Sequence, residues 1–75
     1  MVIDSLSRRE MDVGLLVSEG LTNKEIAAEL GVSQRRVGAI ILRIKEKLFL
    51  NSKVEIGITL YQFREAERLE LEAIN

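Results

Sequence analysis

The stretch Thr22–Leu48, TNKEIAAELGVSQRRVGAIILRIKEKL, decides how the chain is read. Two helix starts and one helix stop lie inside it. Thr22 is followed three residues later by Glu25. This is a capping-box pattern, in which the hydroxyl takes a free backbone N–H of the first turn and the carboxylate returns to the N–H of the cap. Ser33 caps a second helix without an acidic partner. Gly31 stands between them as the left-handed residue on which the first helix ends. The chain therefore turns sharply between a short helix and a longer one. Ala27 lets them approach closely, Gly31 makes the turn, and Val37 and Ile40 are apolar where the second helix must pack. This is the pattern of a helix-turn-helix, whose second helix usually enters the major groove of DNA.

Capping chemistry places two more helices outside that stretch. Ser7 with Glu10 and Ser52 with Glu55 repeat the capping-box pattern. Leu6 with Met11, Leu21 with Ile26 and Val32 with Val37 have the spacing of hydrophobic staples across three of the starts. Gly20 stops the first helix, and Asn51 is a turn residue before the fourth. The expectation is one all-α domain over 1–75, with helices at about 7–19, 22–30, 33–48 and 52–70. Met1 to Ser5 reads as a loose arm, and the last few residues as a fraying end.

Apolar spacing predicts the core. The first helix offers Met11, Leu15 and Leu16, with Val13 and Val17 as lesser candidates. The second offers Ile26, Ala27 and Leu30. On the third, Val37, Ile41, Ile44 and Leu48 share one face, with Ile40 at its edge. The fourth carries two apolar stripes, Val54, Ile58 and Tyr61 on one side and Ile56, Leu60 and Phe63 nearly opposite. One stripe packs on helices one and three. The other is left for a partner, most simply a second copy of the chain, unless the tail folds back over it.

Composition narrows the function. The chain has no cysteine and no histidine. That removes disulfides, thiol chemistry and the commonest metal ligand. No glycine-rich phosphate loop or metal-ligand cluster is apparent, so neither an enzyme nor a bound cofactor or metal is expected. No apolar run approaches membrane-spanning length, so no membrane partner is expected. There is no signal-peptide pattern, which with the missing cysteines fits a reducing cytoplasm and, when DNA is bound, the bacterial nucleoid. The net charge is −1, unusual for a nucleic-acid binder, but it is unevenly spread. Between 34 and 53, Arg35, Arg36, Arg43, Lys45, Lys47 and Lys53 face only Glu46. After that, Glu55, Glu65, Glu67, Glu70 and Glu72 outnumber Arg64 and Arg68. Screening makes the local field decide what binds.

With Val37 and Ile41 turned inward, Arg35, Ala39, Leu42 and Glu46 point outward. Arg36, Arg43 and Lys47 line one flank, and Gly38 and Lys45 the other. A basic row beside an outward helix face suits a groove, where the row neutralises phosphates while the face approaches bases. Lys24, near the start of the second helix, adds a cation. The bland alternative is the solvated face of an amphipathic helix, and the motif geometry outweighs it.

From Leu6 to about Leu60 the chain resembles the LuxR/GerE-type DNA-binding domain. The residues that carry the resemblance are LSRREMDV (6–13), EGLTNKEIAAELGVS (19–33), Val37, IKEKL (44–48) and SKVE (52–55). The resemblance implies four helices, DNA binding through helix 33–48, and homodimerisation through helix 52–70, often on inverted repeats. It is compatible with a stand-alone regulator or with the C-terminal output domain of a longer one. On it, the DNA-binding surface comprises Lys24, Gln34, Arg35, Arg36, Gly38, Ala39, Leu42, Arg43, Lys47 and Lys53. The dimer interface is one of the two stripes of the last helix. The chain departs from the family pattern where bases are read. Gly38, Ala39 and Leu42 hold the family's base-contacting positions without a polar side chain, so hydrogen-bond readout falls to Gln34 or Arg35. Phe49 replaces a turn glycine. These departures keep a second reading open, a protein-interaction module of the same fold that acts as an anti-regulator or heterodimer partner.

Overall fold

The computed structural model describes residues 2–74, and only the backbone at Ile74. A 3-10 turn, Val2–Ser5, precedes four helices: α1 (Arg8–Ser18), α2 (Asn23–Leu30), α3 (Gln34–Leu48) and α4 (Lys53–Ile74). No strand is present among the described residues.

Local chemistry starts each helix. Ser7 Oγ accepts from the Glu10 N–H at 3.1 Å while Glu10 Oε1 accepts from the Ser7 N–H at 2.8 Å. Thr22 and Glu25 repeat this reciprocal box, and Ser33 Oγ accepts from the Arg36 N–H at 3.0 Å. The fourth start is a variant. Ser52 Oγ accepts from the Glu55 N–H, but the Glu55 carboxylate takes the N–H of Asn51, one residue earlier, at 2.7 Å.

Three helices stop on left-handed residues. Gly20 (φ 87°) and Gly31 (φ 69°) do so without steric conflict. Phe49 does so with φ 58° and ψ 44°, and is the sole described residue other than glycine with positive φ. Its N–H and that of Leu50 both reach the Lys45 carbonyl, which closes α3 as Gly31 and Val32 close α2 on Ala27. The turn geometry that a glycine would provide is thus kept by a phenylalanine that is 83% exposed.

The core is built from Ile3, Val13, Val17, Ile26, Ala27, Val37, Ile40, Ile41, Ile44, Ile56 and Leu60. Three expectations are corrected here. Residues 2–5 are no loose arm: they form the 3-10 turn, which packs on α3 with Ile3 buried. Met1 lies outside the described residues. On α1 the inward residues are Val13 and Val17, both buried, while Met11, Leu15 and Leu16 are only half-buried around them. The reason is α4, which crosses α1 on the side of Val13, Gly14 and Val17. A Cβ at Gly14 would stand 3.0 Å from Leu60 Cγ, and one at Gly57 would stand 3.5 Å from the Val17 carbonyl oxygen. Glycines on both helices therefore allow the close approach. Ile40, expected at the edge of α3, is fully part of the core.

α4 separates its two stripes. Ile56 and Leu60 are fully buried and Phe63 half-buried, whereas Val54, Ile58 and Tyr61 are exposed. The tail does not fold back over them. It continues as one helix to Ile74, past the expected end at 70, with Leu69 and Leu71 exposed. Arg68 holds this extension, bonding Glu65 at 2.7 Å and Glu72 at 2.6 Å on adjacent turns.

Candidate nucleic-acid interface

α2, the turn at Gly31 and α3 form the helix-turn-helix. α3 is anchored along one side by Val37, Ile40, Ile41 and Ile44, all buried. That anchoring turns Gln34, Arg35, Arg36, Ala39, Leu42 and Arg43 to solvent. Gly38 is half-buried, yet a Cβ built on it meets nothing within 4 Å. The middle of the outward face is therefore shallow and uncharged, with Leu42 53% exposed and cations at its border. Lys24 is exposed on α2.

Three of the expected cations already have partners within the protein: Lys47, Lys53 and, at one nitrogen, Arg43. Lys47 Nζ donates to Glu10 Oε1 at 2.7 Å and to the Ser5 carbonyl at 3.1 Å, so it ties α3 to α1 and to the N-terminal turn. Lys53 Nζ donates to the Leu21 carbonyl at 3.3 Å and lines a groove with Val54, Ile58 and Tyr61. That groove belongs to the exposed stripe of α4, away from the row on α3. Arg36, Arg43 and Lys47 do come together, as their spacing along α3 requires.

Capping patterns alone missed what they come together around. Glu10 is 5% exposed, the one buried charged residue among those described. Besides the Ser7 N–H and Lys47, its Oε2 lies 3.4 Å from Arg43 Nε. Burial, the largest single influence, pushes the carboxyl up. The hydrogen bond from Lys47, the Ser7 N–H and the Lys47 charge together outweigh it and hold Glu10 below its ordinary value of 4.5. Arg9, next to it on the first turn of α1, is exposed and lines the same concavity as Arg36 and Arg43. Glu10 was legible as half of a capping box. Its link to α3 spans 37 residues of chain, and no local spacing reports it.

No group of acidic side chains among the described residues is arranged to hold a metal ion. No helix among them is long and apolar enough to cross a membrane.

Comparison with known proteins agrees with this geometry. Residues 4–60 match the GerE family, described as bacterial regulatory proteins, luxR family. The chain is 37% identical over 60 residues to a nitrate/nitrite response regulator protein homolog of Haemophilus influenzae, covering 80% of this chain and 29% of that protein. It is 32% identical over 62 residues to the nitrate/nitrite response regulator protein NarL of Escherichia coli, covering 83% of this chain and 29% of NarL. It is 34% identical over 55 residues to the transcriptional regulatory protein LiaR of Bacillus subtilis, covering 73% of this chain and 26% of LiaR. The chain thus spans less than a third of the length of these relatives. A buried inner face on α3, a glycine turn before it and a family match that covers the whole motif lead to one conclusion: this chain belongs to the luxR family of bacterial regulatory proteins, and its domain is a helix-turn-helix of the DNA-binding, transcription-regulating kind.

Proposed function

We propose that the domain binds the major groove of double-stranded DNA through α3, and that it does so as a homodimer joined by α4 to regulate transcription. The observation that carries this reading is the division of α3 into a buried apolar face and an exposed face bordered by arginines. Arg35, Arg36 and Arg43 are the phosphate-contacting cations, with Lys24 at the edge and Lys47 and Lys53 as supports already held by the protein. Gln34, Arg35, Gly38, Ala39 and Leu42 face the bases, so thymine methyls and one or two polar contacts at the start of α3 carry the readout. The dimer uses Val54, Ile58 and Tyr61, the stripe that α1 and α3 leave uncovered. The action takes place in the cytoplasm, at the nucleoid, and involves no catalysis.

Fluorescence anisotropy against random and genomic duplex pools tests this. Binding should weaken steeply with salt and leave a selected subset bound. An Arg36→Ala, Arg43→Ala double variant that binds as well as the parent would overturn the assignment.

One observation favours a second reading. The outward strip of Gly38, Ala39 and Leu42 is apolar, and it suits an α-helix of a protein partner. Leu42→Lys separates the two: it abolishes docking of such a partner, whereas overall affinity for duplex DNA is kept or raised by the added charge and only the choice of sequences changes.

A further inference from the structure

Arg9 belongs to α1, and Arg36 and Arg43 belong to α3. The fold nevertheless sets all three around one concavity of about 460 Å³, with Ser7, Glu10 and Lys47 also in its lining. Four cations there face one carboxylate. Lys47 is spent on that carboxylate and on the Ser5 carbonyl. Arg43 meets Glu10 through Nε, which leaves its two terminal nitrogens for another acceptor. Neither Arg9 nor Arg36 is ion-paired with another described residue. The cleft therefore has three guanidinium groups with donors to spare, and Ala39 places it on the border of the outward face of α3.

We infer that Arg9, Arg36 and Arg43 form a shared site for a single backbone phosphate of duplex DNA, bridging α1 and α3. The inference rests on the DNA-binding reading above. A phosphodiester brings one charge and two unesterified oxygens, the acceptor geometry that guanidinium forks match. Glu10 is a positioning residue here. It holds Arg43 by its inner nitrogen and removes Lys47 from the donor set, so the cleft takes one anion instead of several. Because the site joins two helices, a phosphate in it sets the register of α3 along the groove.

The test is anisotropy of a labelled mixed-sequence duplex across a salt series. It uses the full chain, Arg9→Ala, Arg36→Ala, Arg43→Ala and the triple variant, each checked for fold by circular dichroism. Arg9→Ala should weaken binding several-fold. The triple variant should flatten the log–log salt slope by about 0.9, the share of one phosphate. Arg9→Ala binding like the parent would overturn the site, and so would a triple variant whose slope falls by roughly three times that share, which means three separate phosphates. Arg9→Ala carries the test alone if Arg43→Ala disturbs folding. A folded parent that fails to bind at low salt overturns the DNA-binding reading itself, and this site with it.

Discussion

Lys47 Nζ stands 2.7 Å from Oε1 of Glu10, a carboxylate that is 5% exposed. The same oxygen accepts the Ser7 N–H, so the pair that caps α1 also fastens α3 to it. Removing the two partners should have unequal effects. Lys47→Met leaves a buried carboxylate with only the Ser7 N–H and the longer 3.4 Å pair to the exposed Arg43, and should cost about 2–3 kcal/mol. Glu10→Gln keeps an acceptor for Ser7 and frees a lysine that already reaches solvent, so it should cost about 1 kcal/mol. Urea unfolding of the two variants checks the order.

The lowered pKa of Glu10 gives stability a pH dependence of definite sign. The unfolded chain takes up this proton near 4.5, before native Glu10 does. Its contribution is therefore complete above that value and is lost as pH falls through the lower native pKa. Urea midpoints should drop as pH is taken below 4.5, and Glu10→Gln should make the drop shallower. It should not abolish it, because the Thr22 N–H and hydroxyl also lower Glu25, and Arg68 lowers Glu65.

Phe49 carries a left-handed backbone that costs a residue with a Cβ about 1 kcal/mol or more, and its ring is 83% exposed. Little burial offsets the strain. Phe49→Gly should therefore stabilise the domain by roughly 1 kcal/mol, seen as a raised thermal midpoint. A lowered midpoint would mean that the ring packs in a way its exposure conceals.

The same substitution at two helical glycines should act in opposite directions. A methyl at Gly38 meets nothing within 4 Å, so Gly38→Ala should gain roughly 1 kcal/mol of helix propensity. A methyl at Gly14 meets Leu60 Cγ at 3.0 Å, and Leu60 is fully enclosed. Overpacking of about 1–3 kcal/mol then outweighs the propensity gain. Chemical denaturation of both variants should place Gly14→Ala below the parent and Gly38→Ala above it.

Ile58 lies on the exposed stripe of α4 and is 53% exposed. Ile58→Arg should leave the fold intact, shift the sedimentation coefficient from dimer to monomer, and weaken binding to inverted repeats more than to single half-sites. A parent that sediments as a monomer at high concentration would remove the dimer from the proposal.

The sequence by itself determined what depends on neighbours three to five residues apart. Ser7 with Glu10, Thr22 with Glu25, Ser33, Gly20 and Gly31 marked helix ends, because caps and left-handed stops act within one turn of chain. The inner face of α3 was legible for the same reason, since a single helical period lines up Val37, Ile41 and Ile44. Tertiary structure decided everything that required knowing which helix lies against which. α4 crosses α1 where two glycines permit it, and that crossing buried Val13 and Val17 ahead of Leu15 and Leu16. It also chose between the stripes of α4, which are almost equally apolar in sequence. Ile3 joined the core by packing of the N-terminal turn on α3, beyond the reach of any helical period. Arg43 and Lys47 were legible as neighbours on one flank of α3, but no spacing joined them to Arg9 and Glu10 at the start of α1. They became one site because a buried carboxylate needs cations around it, and the fold brought Arg43 and Lys47 of α3, the latter 37 residues away, to Glu10.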